Sequence, residues 1–288
     1  MKSLKVAVIP NLDKRGSAET VEKIGAYFKQ IGIDAYAPDN ICCTAFKHLP
    51  EEQLYRNSDI IVTIGGDGTI IRYAKKAAKY GKPILGINAG RVGYLANIEQ
   101  NEYKLLSRLK TGNYSIENRM MIKASVFEGN KLIGEYNALN DAVITSGFIA
   151  RIIDISASVR GDSINYRADG IIVSTPTGST AYSMSAGGPI IDPTAKCIAI
   201  TPICSHSLSA KPILLSDDKE LTLRACSKKR TDIYLTIDGR KVASIKPNTR
   251  IVITKSDSTV KLLRINDRSF YKTLSVKFLD MRYGNNEK

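Results

Sequence analysis

The sequence predicts two architectures in series, an α/β amino-terminal half followed by an all-β half. Three observations carry this. Strand-like and helix-like runs alternate over about the first 115 residues. From about Arg119 long helical patterns nearly vanish, and short strand-like runs follow one another. Turn signals separate several of these runs: Glu128-Gly129-Asn130, Gly161-Asp162 and Asp238-Gly239, the last a strong hairpin signal.

The elements follow in order. "LKVAVI" at residues 4–9 is a short apolar strand. Ser17 stands where it would cap a helix, and Val21, Ile24, Phe28 and Ile31 recur beyond it at helical spacing. "DAYA" at 34–37 reads as a second strand. "DIIVTI" at 59–64 is apolar throughout and β-branched, as a strand buried on both faces must be. After Thr69 a helix places Ile70, Ala74, Ala77 and Ala78 on one side. "KPILGIN" is the next strand and "EYKLLSRLK" the next helix. Alternating elements of this kind make a parallel sheet with helices on its faces, a Rossmann-like α/β domain. The second half gives "MMIKASVF", "KLIGEYNAL", "DAVITS", "IIDISASVR", "SINYRA", "GIIVSTP", "CIAITPI", "ELTLRAC", "DIYLTID", "RKVASI" and "RIVITK" as strands, read together as a β-sandwich. Arg160-Gly161-Asp162 reads as a hairpin turn between two of them, not as an adhesion motif. The boundary falls near residue 118.

Composition narrows the function. No apolar run approaches the ~20 residues of a membrane span, and the amino terminus lacks a signal-peptide core. A cytoplasmic protein without membrane attachment is expected. Five cysteines without Cys-x-x-Cys spacing, and two histidines, argue against a disulfide framework and a zinc site. The net charge of +14 attracts polyanions. The basic residues are spread along the chain and aromatics are 7%, so phosphorylated metabolites are expected rather than nucleic acid.

Three segments carry candidate chemistry. Gly65-Gly66-Asp67-Gly68-Thr69 ends a strand and opens a helix. Ligands of open parallel sheets bind beyond such strand ends. Glycines there permit positive φ and close approach to an anion, and the helix N-terminus favours phosphate. Asp67 repels phosphate, so it fits a hydroxyl or a metal; a tight turn with an N-capping aspartate fits the five residues equally well. The loop is not a Walker motif, since no Gly-Lys-Ser/Thr follows. The second segment, Arg167 to Pro193, is rich in Gly, Ser and Thr and offers hydroxyls, amides and Tyr182 to a polar ligand. A Ser/Thr-rich surface loop is the alternative. In it, residues 179–185 have room for one or two helical turns. The third is Asn140-Asp141, a turn or a reader of a base edge or ribose.

Together these segments resemble the NAD kinase family. The resemblance rests on Gly65 to Gly68 after a strand, Asn140-Asp141, and Thr-Pro-Thr-Gly-Ser-Thr-Ala-Tyr at Thr175 to Tyr182. It also rests on "SHSLSAKPILL" at 205–215 and "TIDGRK" at 236–241, in the family's order. Gly-Gly-Asp-Gly alone is shared with lipid kinases of the diacylglycerol kinase type and with phosphofructokinases. A lipid kinase and a non-catalytic NAD(H)-binding protein are the alternatives. The resemblance implies transfer of the ATP γ-phosphate to the 2′-hydroxyl of the adenosine ribose of NAD, giving NADP. It implies an α/β domain over 1–118, rejoined by about 267–288, and a β-sandwich NAD-binding domain over 119–266.

It also implies roles. Asp67 accepts the hydroxyl proton. Gly68, Ile71, Arg72 and Tyr94 lie near the nucleotide. Asn140 and Asp141 hold the adenosine part, and Thr180, Ala181, Tyr182, Ser183, Met184 and Ser185 wrap the other face. Arg151 and Arg167 are assigned to phosphates, and Asp169 to the nicotinamide end. His206 and Arg240 match family positions without a fixed role. Mg²⁺ or another divalent cation arrives with ATP rather than in a protein cage, and the protein is a homodimer or homotetramer. Two departures stand out: Asp141 replaces the family's common Glu, and Arg240 stands where Gln is usual.

Overall fold

The computed structural model describes residues 3–90, 93–147, 152–207, 210–227 and 232–283, with side chains through residue 278. The chain divides into two compact units, Met1–Asn118 with Val260–Lys288, and Arg119–Thr259.

The first unit is built on a parallel sheet. Its order is Lys47–Leu49, Asp34–Pro38, Lys5–Pro10, Ile60–Gly65, Ile84–Asn88. Ile98–Glu99 pairs with the last of these, and so does Leu262 at the end of the strand Thr249–Arg264. The strand Ile60–Gly65 is buried at every position, the pattern expected of a sheet covered on both faces. The helix Ser17–Ile31 buries Thr20, Val21, Ile24, Gly25 and Phe28, and Gly32 ends it in a left-handed conformation at φ 69°. Ser17 is not its cap. It is the first helical residue and fully buried, with Gly16 in the cap position.

The connection from Lys5–Pro10 leads through a helix to one side of the sheet, and that from Ile60–Gly65 leads through the helix Asp67–Lys79 to the other. The two strands are neighbours, in register from Val6↔Ile60 to Pro10↔Ile64. Their carboxyl ends are therefore a topological switch point, where outgoing chains part and leave a crevice. The predicted helix at 102–110 is mostly 3-10, Gln100–Leu106, running into a short α segment, Ser107–Thr111. The short helix Glu51–Asn57 lacks a long apolar repeat, and the sequence pattern did not predict it.

The second unit is an antiparallel sandwich. One sheet runs Ile213–Ser216, Cys197–Ile203, Gly170–Ser174, Asp141–Ser146, Ile233–Ile237, Arg240–Ile245. The other contains Asp162–Ala168, Ile153–Val159, Leu221–Cys226 and the first part of Thr249–Arg264, with Ser115–Glu128 and Lys131–Ala138 alongside. Alternate residues such as Ile153, Ile155 and Ala157 from one sheet meet Ile171, Val173, Leu235 and Ile237 from the other in a single core. Arg160 and Gly161 form a two-residue hairpin turn, both with positive φ. Among the described residues no helix is long and apolar enough to cross a membrane.

The helix Asp67–Lys79 docks through one bulky side chain, Ile70, backed by Ala74 and Ala77, all fully buried. Ile70→Ala is expected to destabilise the protein by about 2–5 kcal/mol, read as a lowered urea midpoint.

Candidate functional site

The switch point opens into a cleft of about 770 Å³, within the size of small-ligand sites. Gly66, Asp67 and Gly68 line one side and Asn11 to Lys14 another, with Arg72 beside them. The geometry decides what the glycines are for. The expected positive φ holds at Gly65 (φ 159°), where a Cβ would overlap the Thr69 side chain, but Gly66 has φ −94° and Gly68 is helical. A Cβ at either would meet nothing within 4 Å. The glycines keep open a space beside the helix N-terminus, and a ligand can reach the backbone there.

Asp67 is the first residue of its helix, but it does not cap it. Its carboxylate turns across to another loop. Oδ2 accepts the Tyr94 backbone N–H at 2.7 Å and Oδ1 accepts that of Leu95 at 3.1 Å. Each carboxylate oxygen has two lone-pair sites, so these amides leave one on each unused. This removes the N-capping alternative. Ile71 is half-buried on the helix, and the exposed Arg72 guanidinium lies over the Tyr73 ring at 5.4 Å. Burial, then the Asp67 charge, pushes the Tyr94 phenol upward. Asn11 and Lys14 went unnoticed in the sequence. Their signal was available, since "NLDK" directly follows a strand's carboxyl end, where ligands of open sheets bind.

In the second unit the Asn140-Asp141 and Thr175–Ser185 segments are locked to each other. The Thr175 hydroxyl donates to the Leu139 carbonyl at 2.5 Å, and the Thr175 N–H donates to the Asn140 carbonyl at 2.8 Å. A Cβ on Gly178 would overlap the Asn140 carbonyl oxygen, so only glycine lets these backbones touch. Asp238 closes the arrangement. Its carboxylate accepts the N–H groups of Leu139 (3.1 Å), Asn140 (2.8 Å) and Asp141 (3.2 Å). The sequence marked Asp238-Gly239 only as a turn, and both residues do have positive φ. The clamping role was hidden because its partners lie nearly a hundred residues away. Arg119, which the sequence also did not single out, is buried and donates to the Thr177 hydroxyl at 3.2 Å.

Residues 177–185 form a 3-10 turn and one α turn. Tyr182 is 45% exposed and borders a second cleft, of about 610 Å³, with Ser185, Cys204 and Lys211. Its phenol is pushed upward by burial, then by the charges of Cys204, Asp141 and Asp169. The Asn140 Oδ1 is buried without a hydrogen-bond partner among the described residues, an acceptor a ligand could satisfy. Thr180 and Ala181 are half-buried at the turn, as is Met184. Ser183 instead points inward, its hydroxyl paired with that of Thr201 at 3.0 Å. Asp169 is half-buried at the start of Gly170–Ser174. Arg167 pairs with Asp154 across the hairpin at 3.2 Å. His206 is exposed, its N–H donating to the Arg167 carbonyl, and Arg240 is exposed beside the Asp238-Gly239 turn. Arg151 lies outside the described residues.

An open parallel sheet with a glycine-lined, cation-flanked cleft at its switch point suits a protein that handles phosphorylated ligands. Comparison with known proteins gives the family. Residues 6–114 match the model of the ATP-NAD kinase N-terminal domain, and residues 139–265 that of the C-terminal domain. An NAD kinase of Natranaerobius thermophilus is 38% identical over 280 residues, 94% of this chain and 96% of the relative. One of Treponema denticola is 37% identical over 277 residues, 95% of each chain. A solved NAD kinase from Archaeoglobus fulgidus in complex with ATP superposes with a TM-score of 0.72 at 27% identity, covering 95% of this chain and 98% of the other. A yeast NADH kinase complexed with NADH shares the fold, with a TM-score of 0.84 at 20% identity over 100% of this chain and 90% of that one. The chain belongs to the NAD kinase family and is an enzyme of that type. The lipid-kinase alternative is set aside.

Asp238→Ala leaves three N–H groups at residues 139–141 without this acceptor. The change is expected to cost about 3 kcal/mol, checked by thermal unfolding.

Proposed function

We propose that the protein transfers the γ-phosphate of ATP to the 2′-hydroxyl of the adenosine ribose of NAD, with Asp67 as general base. The observation that carries this is the Asp67 carboxylate, held by two backbone amides in the cleft with a lone pair left on each oxygen. Support for the donor comes from the Archaeoglobus relative, which binds ATP. Support for the acceptor comes from the name its relatives carry.

The hydroxyl oxygen forms a bond to the γ-phosphorus as the bond from that phosphorus to the leaving ADP oxygen breaks. The hydroxyl proton passes to Asp67. Lys14 and Arg72 meet the donor's phosphates, and the space over Gly66 and Gly68 admits them. Among the described residues no three His, Cys, Asp or Glu come together as a metal cage. Mg²⁺ takes one or two carboxylates besides phosphate oxygens, a demand that Asp13 at the rim fits. When bound with ATP, the cation neutralises charge on the transferring group. Asn140 and Asp141 hold the adenosine part, and the exposed Tyr182 ring gives a base or nicotinamide face a surface to stack on. We extend the proposal to a homo-oligomer. The strands Ile213–Ser216 and Arg240–Ile245 end their sheet and offer backbone to a second copy.

Asp67→Asn keeps size but cannot take the proton. It is expected to lower kcat about a thousandfold in a coupled NADP assay, with NAD binding retained. Near-full turnover would sink the base assignment. Tyr182→Ala is expected to raise the KM for NAD about tenfold or more, and an unchanged KM would count against the stacking role.

A further inference from the structure

The Asp67 carboxylate is aimed by a segment to which the proposed chemistry gives no part. Its two amide donors bind different oxygens, Tyr94 on Oδ2 and Leu95 on Oδ1. One donor would leave the carboxylate free to swing, whereas two fix the plane of the group. The residue just before them is Gly93. A Cβ there would overlap the Asp67 Oδ1, so any other residue must push the carboxylate aside or move the donors away.

The donor loop is anchored in turn by the far end of the chain. The Asn97 Oδ1 accepts the N–H groups of Ile265 at 2.7 Å and Asn266 at 2.9 Å, and its Nδ2 donates to the Asn266 carbonyl at 3.2 Å. Arg264 donates to the Leu95 carbonyl at 3.3 Å. The Tyr94 ring packs 6.1 Å from that of Phe270, and the Lys277 ammonium sits 4.1 Å from its centroid. Both residues belong to the helix Phe270–Tyr283. Every residue in this chain of contacts lies in the first unit.

We propose that Gly93 is a positioning residue for Asp67, and that residues 264–277 act on the carboxylate through the segment Gly93–Leu95. The inference rests on the reading of Asp67 as the base. It makes the last helix part of the catalytic apparatus rather than a structural tail.

The test is a double-mutant cycle in purified full-length protein, with kcat and KM read from NADP accumulation. In the wild-type background Gly93→Ala lowers kcat about a hundredfold, with the KM for NAD and for MgATP within about threefold of wild type. In the Asp67→Asn background the same change costs no more than about twofold, because the group it misplaces no longer acts. A purely structural role would give the same factor in both backgrounds, and that result, or an unchanged kcat, overturns the proposal. Should Gly93→Ala fail to fold by circular dichroism, Lys277→Met reads the outer end of the same chain. It lowers kcat about two- to fivefold in wild type and leaves Asp67→Asn unchanged; equal losses in both, or none in wild type, overturn the proposal equally. A wild type that forms no NADP ends the base reading itself. A wild type that forms it, with an additive cycle, ends only the positioning role.

Discussion

Two backbone N–H groups on one carboxylate are the constraint on which the proposed chemistry depends. Without them Asp67 would be a flexible side chain at a helix start, in a cleft built to attract anions. With them it is fixed to a second loop, one oxygen to Tyr94 and one to Leu95. The rest of the first unit follows from placing those partners. The parallel sheet sets Gly65 and Asn88 side by side, in register between Ile60–Gly65 and Ile84–Asn88. The helix from Asp67 and the loop after Asn88 therefore start from neighbouring strand ends.

The second unit uses the same device. Asp238 takes three successive N–H groups at residues 139–141, as Asp67 takes two at 94 and 95. Runs of N–H groups of this kind are ready sites for anions. Here the protein fills them with its own carboxylates, so that the amides are not open to an outside anion. In the proposed reading the open amides and cations meet phosphate, and the orphan Asn140 Oδ1 and exposed Tyr182 meet the neutral parts of the nucleotide.

Much of this was legible in the sequence, for local reasons. Apolar β-branched runs and Gly-containing turns fix strands and hairpins within a few residues, so "DIIVTI", Arg160-Gly161 and Asp238-Gly239 all took their expected forms. The Gly-Gly-Asp-Gly loop stood out because glycines beside a lone acid are chemically odd. What stayed hidden is non-local. No spacing rule says that Asp67 reaches residue 94, that Asn97 reaches residue 265, or that Asp238 reaches residue 139. Ser17 shows the same limit in small: a good cap by type, it is drawn into the helix and buried by tertiary packing. Ser183 does too, since its place in a ligand-like run gave no sign that Thr201 would claim its hydroxyl.

The central claim is that this molecule moves a phosphoryl group onto a ribose hydroxyl of NAD. The most direct measurement incubates purified protein with NAD and MgATP labelled in the γ-phosphate, then locates the label by phosphorus NMR. The account predicts one labelled phosphate, on the 2′-oxygen of the adenosine ribose, with ADP formed in equal amount. Label found only in inorganic phosphate, or retained in ATP while NAD is bound, would contradict it.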